Sequence, residues 1–332
     1  MTDTGIYILP TKGTEIPAVV LFDLLFKTYD GDEVAVTRVP PSVIHMAFKQ
    51  REWGLSSIGE GEDTQELKKV KGVVALSDDR IAVAIDIVDI IVFRSDGQIL
   101  KRFNIAQWEG KAGNSGNYSC SMSAMPYFNG FAMTLIPEKA VVVVDCEAEK
   151  VVHKVTDGIR LPNGCAARRF DLMECEMGTK SLRFFKFDEE SQTYFLAVEN
   201  TDCKMECIEC AYLNDEHAIV VSYEGAKAAI FATATAGFIC TISVDPIQRS
   251  HAFTTIDTSR GGVMVMNSRD HKVNFWLIRV NIAEGEAELE RLQSLPAASS
   301  HGARRCSYEP SSKYVVLARE DHIGCVLNLE CL

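Results

Sequence analysis

The chain has 332 residues, of which 47% are hydrophobic, so it can bury a large core. Its formal net charge of −12 argues against direct binding to the nucleic-acid backbone, and no apolar run approaches the roughly 18 residues that a membrane span needs. Eleven cysteines, an odd number, and an N-terminal sequence without a basic or apolar signal pattern favour reduced thiols in the cytoplasm or the nucleus.

Short strand-like segments recur along the whole chain. Runs of Val, Ile, Phe and Tyr alternate with clusters of Gly, Pro, Asn and Asp, as expected for strands joined by turns. One segment, residues 282–295, has some helical character, but it falls where a hairpin loop and an outer strand are expected. A strand is predicted at residues 5–9, followed by strand groups at about residues 17–70, 72–104, 118–156, 159–198, 205–244, 252–295 and 303–330.

Seven stretches, spaced about 43 to 52 residues apart, can be aligned with one another. In the clearest copy Asp270 precedes Trp276 by six residues, and the last copy repeats this step from Asp321 to Leu327. Both stretches resemble the WD-repeat pattern, in which each repeat supplies the strands of one propeller blade. The resemblance implies an all-β fold, a seven-bladed β-propeller that occupies residues 1–332 as a single domain.

The ends of the chain are predicted to meet in one blade. The last strand group, residues 303–330, contains three strands where a blade needs four. The N-terminal strand at residues 5–9 belongs to no other group and supplies the fourth. This arrangement closes the ring and removes the open sheet edges.

The resemblance also implies a structural role for several polar residues of the last two repeats. In WD repeats a histidine, a hydroxyl, an aspartate and a tryptophan form a buried hydrogen-bond chain that fixes each blade. We favour this structural interpretation over a Ser-His-Asp catalytic set, and in the last repeat Leu327 replaces the tryptophan. The residues concerned are His251, Ser268, Asp270, Trp276, His301 and Asp321.

Three cysteines lie within eight residues, at Cys203, Cys207 and Cys210, and Cys175 or His217 could complete a zinc site. However, a first strand is predicted through residues 206–212, which would place Cys207 and Cys210 on opposite faces. We therefore expect packed free thiols, with no metal and no cofactor. The paired arginines 168–169 and 304–305 are expected at strand edges.

The most promising contact residues lie in predicted loops that contain aromatic side chains. One is the acidic, glycine-rich insertion at residues 52–63, and the other joins the second and third strand groups. Aromatic residues on supported loops are favoured contact anchors. The predicted partner-binding residues are Trp53, Glu60, Glu62, Asp63 and Trp108.

These features favour a non-enzymatic scaffold that binds proteins as a subunit of a larger hetero-oligomeric complex. The acidic charge favours a partner with a basic segment. Two alternatives stay open: a propeller-type hydrolase with its site at the central channel, and a non-catalytic subunit of an RNA-processing or RNA-modifying complex. A propeller fold by itself does not decide among them.

Overall fold

The structure is a computed structural model, and the secondary structure that it describes is almost entirely β. Its only helical element within the described residues is a 3₁₀ turn at Pro126–Phe128, and no helix there is long and apolar enough to cross a membrane. The described residues are 48–55, 57–58, 65–66, 70–85, 88–94, 96–105, 120–222, 227–244, 252–256, 262–267, 274–283, 286–296, 305–309, 314–318 and 323–329.

The chain divides into two compact units, residues 1–51 with 327–332, and residues 52–326. Three strands near the boundary come first in the described part of the chain. The second and third of them form a small two-stranded sheet. The three strands are β1 (Phe48–Leu55), β2 (Ser57–Ile58) and β3 (Gln65–Glu66).

Five four-stranded sheets follow, each built from consecutive antiparallel strands. The first sheet is β4 (Val70–Ala75), β5 (Arg80–Ile85), β6 (Asp89–Arg94) and β7 (Ile99–Asn104). The second is β8 (Met122–Met125), β9 (Gly130–Leu135), β10 (Ala140–Asp145) and β11 (Lys150–Val155). The third is β12 (Pro162–Arg168), β13 (Asp171–Glu176), β14 (Leu182–Asp188) and β15 (Thr193–Asn200).

The fourth sheet is β16 (Cys207–Tyr212), β17 (His217–Ser222), β18 (Lys227–Ala232) and β19 (Phe238–Ser243). The fifth is β20 (Ala252–Ile256), β21 (Gly262–Asn267), β22 (Asn274–Ala283) and β23 (Glu286–Pro296). A sixth sheet has the order β1, β26 (Ile323–Leu329), β25 (Tyr314–Ala318), β24 (Arg305–Glu309). The all-β prediction is confirmed.

Burial within each sheet explains why these sequences form strands of different character. The first strand β4 is buried at every position, and β5 and β6 are buried along their centres, because both faces of the sheet are covered. In β7, by contrast, half-buried and exposed residues alternate, as expected for a strand with one face toward water. Continuous apolar runs therefore mark inner strands, and alternating runs mark outer ones.

Successive sheets pack face to face through shared hydrophobic clusters. Val74 and Phe131 belong to the cluster between the first and second sheets, and Met125 and Leu172 to the one between the second and third. Further clusters join the third sheet to the fourth and the fourth to the fifth. Val316 of β25 lies in a cluster with residues of β4, β5 and β6. This layered packing of four-stranded sheets is consistent with a β-propeller.

Two sequence predictions about the N-terminal part differ from what is described. The predicted irregular loop at residues 52–63 is a strand as far as Leu55, and Ser57–Ile58 is again a strand. The aromatic and apolar residues of Phe48–Leu55 favour extended structure in spite of Gly54, which had suggested a loop. The fourth strand of the sixth sheet is β1, whereas the predicted closing strand at residues 5–9 lies outside the described residues.

Candidate functional site

The first strands of the six sheets surround a cavity of about 270 Å³. Each of them is the strand nearest the cavity in its sheet, so that one short segment per sheet forms the wall. All the lining residues belong to residues 52–326. The wall includes Val73, Ser123, Ala167, Glu209, Thr254 and Ser307, one residue from each of these strands.

A buried charged pair lies in the wall of this cavity. Glu209 accepts a hydrogen bond from the Ser121 hydroxyl at 2.6 Å and forms an ion pair with the Arg305 guanidinium. Burial raises the pKa of Glu209, although Arg305 and Ser121 oppose this effect by favouring the carboxylate. The pair joins the fourth sheet to the sixth across the cavity, and its charges compensate each other. These contacts indicate a structural role for the pair, which holds the two sheets together.

Hydroxyl groups link neighbouring first strands around the wall. Ser123 Oγ accepts a hydrogen bond from the Ala167 amide at 2.9 Å, and Ser307 Oγ accepts one from the Ala75 amide at 3.2 Å. The Thr255 hydroxyl donates to the Tyr212 carbonyl at 2.7 Å. Backbone groups at the inner edges of the first, third and fourth sheets thus find partners on a neighbouring sheet.

Two arginines lie at the mouth of the cavity, where β12 turns into β13. Arg168 forms an ion pair with Asp215 at 3.0 Å, and its guanidinium carbon lies 4.8 Å from the centre of the Tyr212 ring. Arg169 is exposed and has a φ of 55° in the two-residue turn that it forms with Phe170. Turns of this length favour Gly, Asn or Asp at positive φ, so Arg169 is an unfavourable residue for the turn itself.

Six aromatic side chains form a cluster beside this mouth, which we call the aromatic cluster. They come from the second and third sheets and lie at the end of each sheet that carries the mouth. Tyr127 packs on Phe170 with ring centres 4.0 Å apart, and it is 54% exposed. Partial burial lowers the pKa of His153 from its ordinary value. The members are Tyr127, Phe128, His153, Phe170, Phe187 and Tyr194.

The sequence-predicted contact residues cannot be compared with this site. Trp53 lies in β1, but its side chain is outside the described part of the structure. Glu60, Glu62, Asp63 and Trp108 are also outside it. Their role in partner binding stays a prediction.

The predicted hydrogen-bond network of the blades is likewise not tested by the described residues. Trp276 lies in β22, although its side chain is outside the described part of the structure. The other members of the network are not among the described residues, so the hydrogen-bond chain stays a prediction. They are His251, Ser268, Asp270, His301 and Asp321.

The aromatic cluster was missed by sequence reasoning because its members are far apart in the chain. One signal was present: two aromatic residues follow Pro126 in a short connection between strands, and an aromatic residue follows the paired arginines 168–169. Bulky aromatic residues in turns, where Gly, Asn and Asp are preferred, are candidates for surface contacts.

The cysteine prediction is partly wrong. Cys207 and Cys210 were expected on opposite faces of a strand, yet both pack in the cluster between the third and fourth sheets. A β-bulge between Cys207 and Glu209 adds a residue to the strand and changes the alternation. The Cys207 thiol donates a hydrogen bond to the Met205 carbonyl at 3.5 Å. Among the described residues, no group of three or more His, Cys, Asp and Glu side chains could hold a metal ion.

A second buried charge network lies inside the third sheet. Arg183 forms ion pairs with Glu174 at 3.1 Å, with Glu176 at 3.2 Å and with Glu199 at 2.8 Å. Glu174 is fully buried, and its Oε1 atom has no hydrogen-bond partner. Burial and the nearby Glu176 carboxylate raise the pKa of Glu174 to about 8. This network lies apart from the cavity lining.

Comparison with known proteins supports the architecture. No family model matches the chain, and no curated protein matches it. Hydrazine synthase from Kuenenia stuttgartiensis matches with a TM-score of 0.52 at 8% identity, over 78% of this chain and 77% of that one. A chain of the crystal structure of the mitotic checkpoint complex matches with a TM-score of 0.55 at 10% identity, over 85% and 84%.

The fold is β-propeller-like. At such low identity these similarities establish the fold alone. Membership of the WD-repeat family stays a prediction, since the repeat signature is clear in only two stretches and no family model matches.

Proposed function

We propose that the protein is a non-enzymatic scaffold of the WD-repeat type that binds other proteins within a larger complex in the cytoplasm or the nucleus. The aromatic cluster is the observation that carries this proposal. Tyr127, at 54% exposure, and the adjacent Phe170 lie at one end of two packed sheets. Large aromatic side chains on a rigid support lose little conformational entropy on binding, which makes them effective contact residues.

The contents of the cavity favour a scaffold over a hydrolase. Of the described residues that line it, Glu209 is the only carboxylate, and none is a histidine. Glu209 is engaged by Ser121 and Arg305, so it is poorly placed to act as a general base. Burial raises the pKa of the nearby Cys165 and Cys306, which disfavours the nucleophilic thiolate. No observation on the described residues favours an RNA-complex subunit.

We also propose that the ring consists of six sheets. The sequence predicted seven blades, the first of them at residues 17–70. Six sheets are supported by the packing of the sixth sheet directly on the first, through the Ser307–Ala75 hydrogen bond and the burial of Val316 against β4, β5 and β6. An experimental structure of the full chain tests this proposal, and a seventh sheet between the sixth and the first would contradict it.

The scaffold proposal is tested by affinity capture of the tagged full chain from its native cells, followed by mass spectrometry. We expect a partner in stoichiometric amount, lost from the Tyr127→Ala/Phe170→Ala variant. The Leu100→Ala variant is the matched control, because Leu100 is an exposed apolar residue on β7 of another sheet. A Trp53→Ala/Trp108→Ala variant tests the sequence-predicted surface in parallel.

Two results would contradict the scaffold proposal. The first is a protein captured without any stoichiometric partner. The second is a partner that is retained equally by the wild type, by the control and by both aromatic double variants; this result would contradict the aromatic cluster as the observation that carries the proposal, because neither surface would bind the partner. Thermal unfolding of each variant shows whether a loss of binding reflects a loss of folding.

A further inference from the structure

The first four sheets carry different charges at their two ends. In each antiparallel sheet, the turns after the first and third strands lie at one end, and the turn after the second strand lies at the other. The mouth of the cavity lies at the first of these ends, which we call the mouth side. Contacts between neighbouring sheets bring the four mouth sides together. They are the Arg80–Glu147 ion pair at 3.2 Å, the Tyr127–Phe170 ring contact at 4.0 Å between centres and the Arg168–Asp215 ion pair at 3.0 Å.

The turns of the mouth side are strongly acidic. In the first four sheets their described residues include nine carboxylates and one cation, Arg169. The carboxylates of the first and second sheets are Asp78, Asp79, Asp96, Glu147 and Glu149. Those of the third and fourth sheets are Glu189, Glu190, Asp215 and Glu216. Ion pairs with Arg80, Lys101 and Arg168 compensate only part of this charge.

The opposite ends of the same sheets have no such excess. Their described connections contain four carboxylates and four cations. The carboxylates are Glu138, Asp157, Asp202 and Glu206. The cations are Lys139, Arg160, Lys180 and Lys204. Of the two described ends, the mouth side therefore attracts a cationic partner more strongly.

The aromatic cluster gives this acidic side an apolar contact surface. Tyr127 is 54% exposed, and the neighbouring Pro126 is also exposed. Phe170, which packs on Tyr127, stacks on Phe187 with ring centres 6.1 Å apart. The rings belong to two sheets that share a hydrophobic cluster, so they rest on a packed support.

The turn after β14 places carboxylates next to these rings. Glu189 and Glu190 follow Phe187 by two and three residues and are exposed, and neither is paired with another described charge. Asp188 accepts hydrogen bonds from the Glu190 amide at 2.9 Å and from the Ser191 hydroxyl at 2.8 Å. Asp188 thus stabilises the turn, whereas the carboxylates of Glu189 and Glu190 are available to a partner.

Resting on the proposed scaffold function, we infer that the aromatic cluster docks a basic segment of the partner protein, one that carries Lys and Arg around an aromatic or aliphatic side chain. The apolar side chain packs against Tyr127 and Phe170, and the cations lie beside Glu189 and Glu190. A cationic group placed over an exposed ring gains a cation–π attraction as well. Charge and apolar contact thus select the same partner.

Two cations near the rings reduce the acidic charge but do not reverse it. Arg169 lies in the turn after β12. Lys186 precedes Phe187 in β14 and points to the opposite face of the strand. Asp171 is close to both cations: burial raises its pKa, and the neighbouring cations lower it. Asp171 therefore offsets part of their charge.

Other occupants suit this surface less well. A second copy of the chain also carries −12, and the described opposite ends of its sheets have no excess of cations to meet the mouth side. A nucleic-acid strand would bring its phosphates against carboxylates. A Lys- and Arg-containing protein segment avoids both conflicts.

The test measures binding of labelled peptides to the full chain by fluorescence anisotropy at low and moderate salt. The first probe is a short peptide with Phe and Leu at its centre and Lys and Arg on both sides. One comparison probe has Asp and Glu in place of the cations, and another has Ala in place of Phe and Leu. We expect the basic apolar peptide to bind most tightly, and its affinity to fall as salt rises, because exposed charges are screened.

The deciding variant is Glu189→Gln/Glu190→Gln, which removes two exposed carboxylates beside the rings. It should weaken binding of the basic peptide roughly fivefold, since each exposed charge pair contributes little by itself. The matched control is Asp157→Asn/Glu206→Gln, which changes the total charge equally but at the opposite ends of the sheets. The control should bind as the wild type does.

Single variants separate the contribution of the rings from that of the charges. Phe170→Ala should weaken binding about tenfold, because the apolar anchor loses its contact. Arg169→Gln should strengthen binding about twofold, because it removes a cation that repels the peptide. Melting temperatures show whether a change in binding reflects a loss of folding.

Four results would overturn the inference: no binding of the basic peptide, equal binding of its acidic version, equal binding of the version with Ala, or equal affinities of the two carboxylate double variants. The scaffold proposal can survive these results. If a captured partner depends on Tyr127 and Phe170, but not on Glu189 and Glu190, and the basic peptide does not displace it, then the scaffold stands and the basic partner is wrong.

Discussion

At the scale of single residues, Glu174 shows how much the environment controls a carboxyl group. It is fully buried, it shares Arg183 with Glu176 and Glu199, and its pKa is raised to about 8. Glu176 behaves differently. Burial raises its pKa, but hydrogen bonds from Thr179 and from the amides of residues 160 and 161 more than offset this, so that the net shift is downward. The Arg183 guanidinium thus contacts two carboxyl groups whose pKa values shift in opposite directions.

The raised pKa of Glu174 predicts a specific pH dependence. The folded state holds the Glu174 proton more tightly than the unfolded chain, whose pKa is near the ordinary 4.5. The stabilisation that Glu174 contributes is complete below the unfolded-state pKa of 4.5. It is lost as the pH rises toward the folded-state pKa of about 8. Glu174→Gln keeps a neutral side chain at every pH. The difference in melting temperature, variant minus wild type, should therefore grow from pH 5 to pH 8.

Thermal unfolding of both proteins in a series of buffers measures this difference. A constant difference across the series would mean that Glu174 titrates at its ordinary pKa in the folded state. Glu176→Gln is the contrasting variant, because the folded-state pKa of Glu176 is lowered. The melting temperature of Glu176→Gln minus that of the wild type should not increase from pH 5 to pH 8.

At the scale of strands, three first strands carry a bulge near their beginning. The register shifts between Val70 and Gly72, between Pro162 and Gly164, and between Cys207 and Glu209. At two of these bulges a glycine lies against the next sheet. A Cβ atom at Gly164 would be 2.7 Å from Glu209 Cα, so the first strands of the third and fourth sheets approach too closely for a side chain there.

Gly164→Ala should therefore destabilise the protein by about 1–3 kcal/mol, the usual range for overpacking. The close neighbours include backbone of the next strand, which cannot rotate away as a flexible side chain would. Gly178→Ala is the matched control, since a Cβ atom there would meet only Leu161 at an ordinary 3.8 Å. Chemical denaturation of both variants measures the free energies of unfolding. Equal free energies of unfolding for the two variants would show that the first strands of the third and fourth sheets can move apart without loss of stability.

Strands were the most predictable part of the fold, and bulges were the least. Continuous apolar runs such as Val70–Ala75 and alternating runs such as Ile99–Asn104 carry their burial pattern in the sequence. The bulge at Cys207 has no comparable signal, because it depends on how the strand meets its neighbours. For that reason the faces of Cys207 and Cys210 could not be derived, although the strand itself was expected.

At the scale of the whole molecule, the link between Glu209 and Arg305 joins segments that are 96 residues apart. Both side chains are nearly inaccessible to water, at 5% and 3% exposure. Removing one partner from a buried pair leaves an uncompensated charge, whereas replacing both with apolar residues of similar size is often tolerated. Loss of the pair would remove a contact that joins the fourth and sixth sheets across the cavity.

Arg305→Met should destabilise the protein by about 3 kcal/mol at pH 8, where the isolated Glu209 carboxylate would have to be buried or protonated. The Glu209→Met/Arg305→Met double variant should recover a large part of this loss. Denaturation curves for the two single variants and the double variant give the coupling free energy. Additive effects would show that the pair contributes no coupling.

The spatial arrangement of the charged and aromatic residues could not be predicted from the sequence alone. The net charge of −12 favours a partner with a basic segment, which stays a prediction, and composition says nothing of where the charges lie. Folding brings Arg168, Arg169 and Arg305 to one cavity from two different sheets. In the same way Tyr127 and Phe187 enter one cluster from separate strands, which no spacing rule in the chain connects.

The hydroxyl links between neighbouring first strands have a consequence for solubility. Each first strand is an edge of its sheet, and a bare edge offers amide and carbonyl groups to any extended chain nearby. The links use part of this hydrogen-bonding capacity at Ala75, Ala167 and Tyr212. The cavity wall is thereby a poor template for strand addition, which lowers the risk of aggregation at the very place where six edges meet.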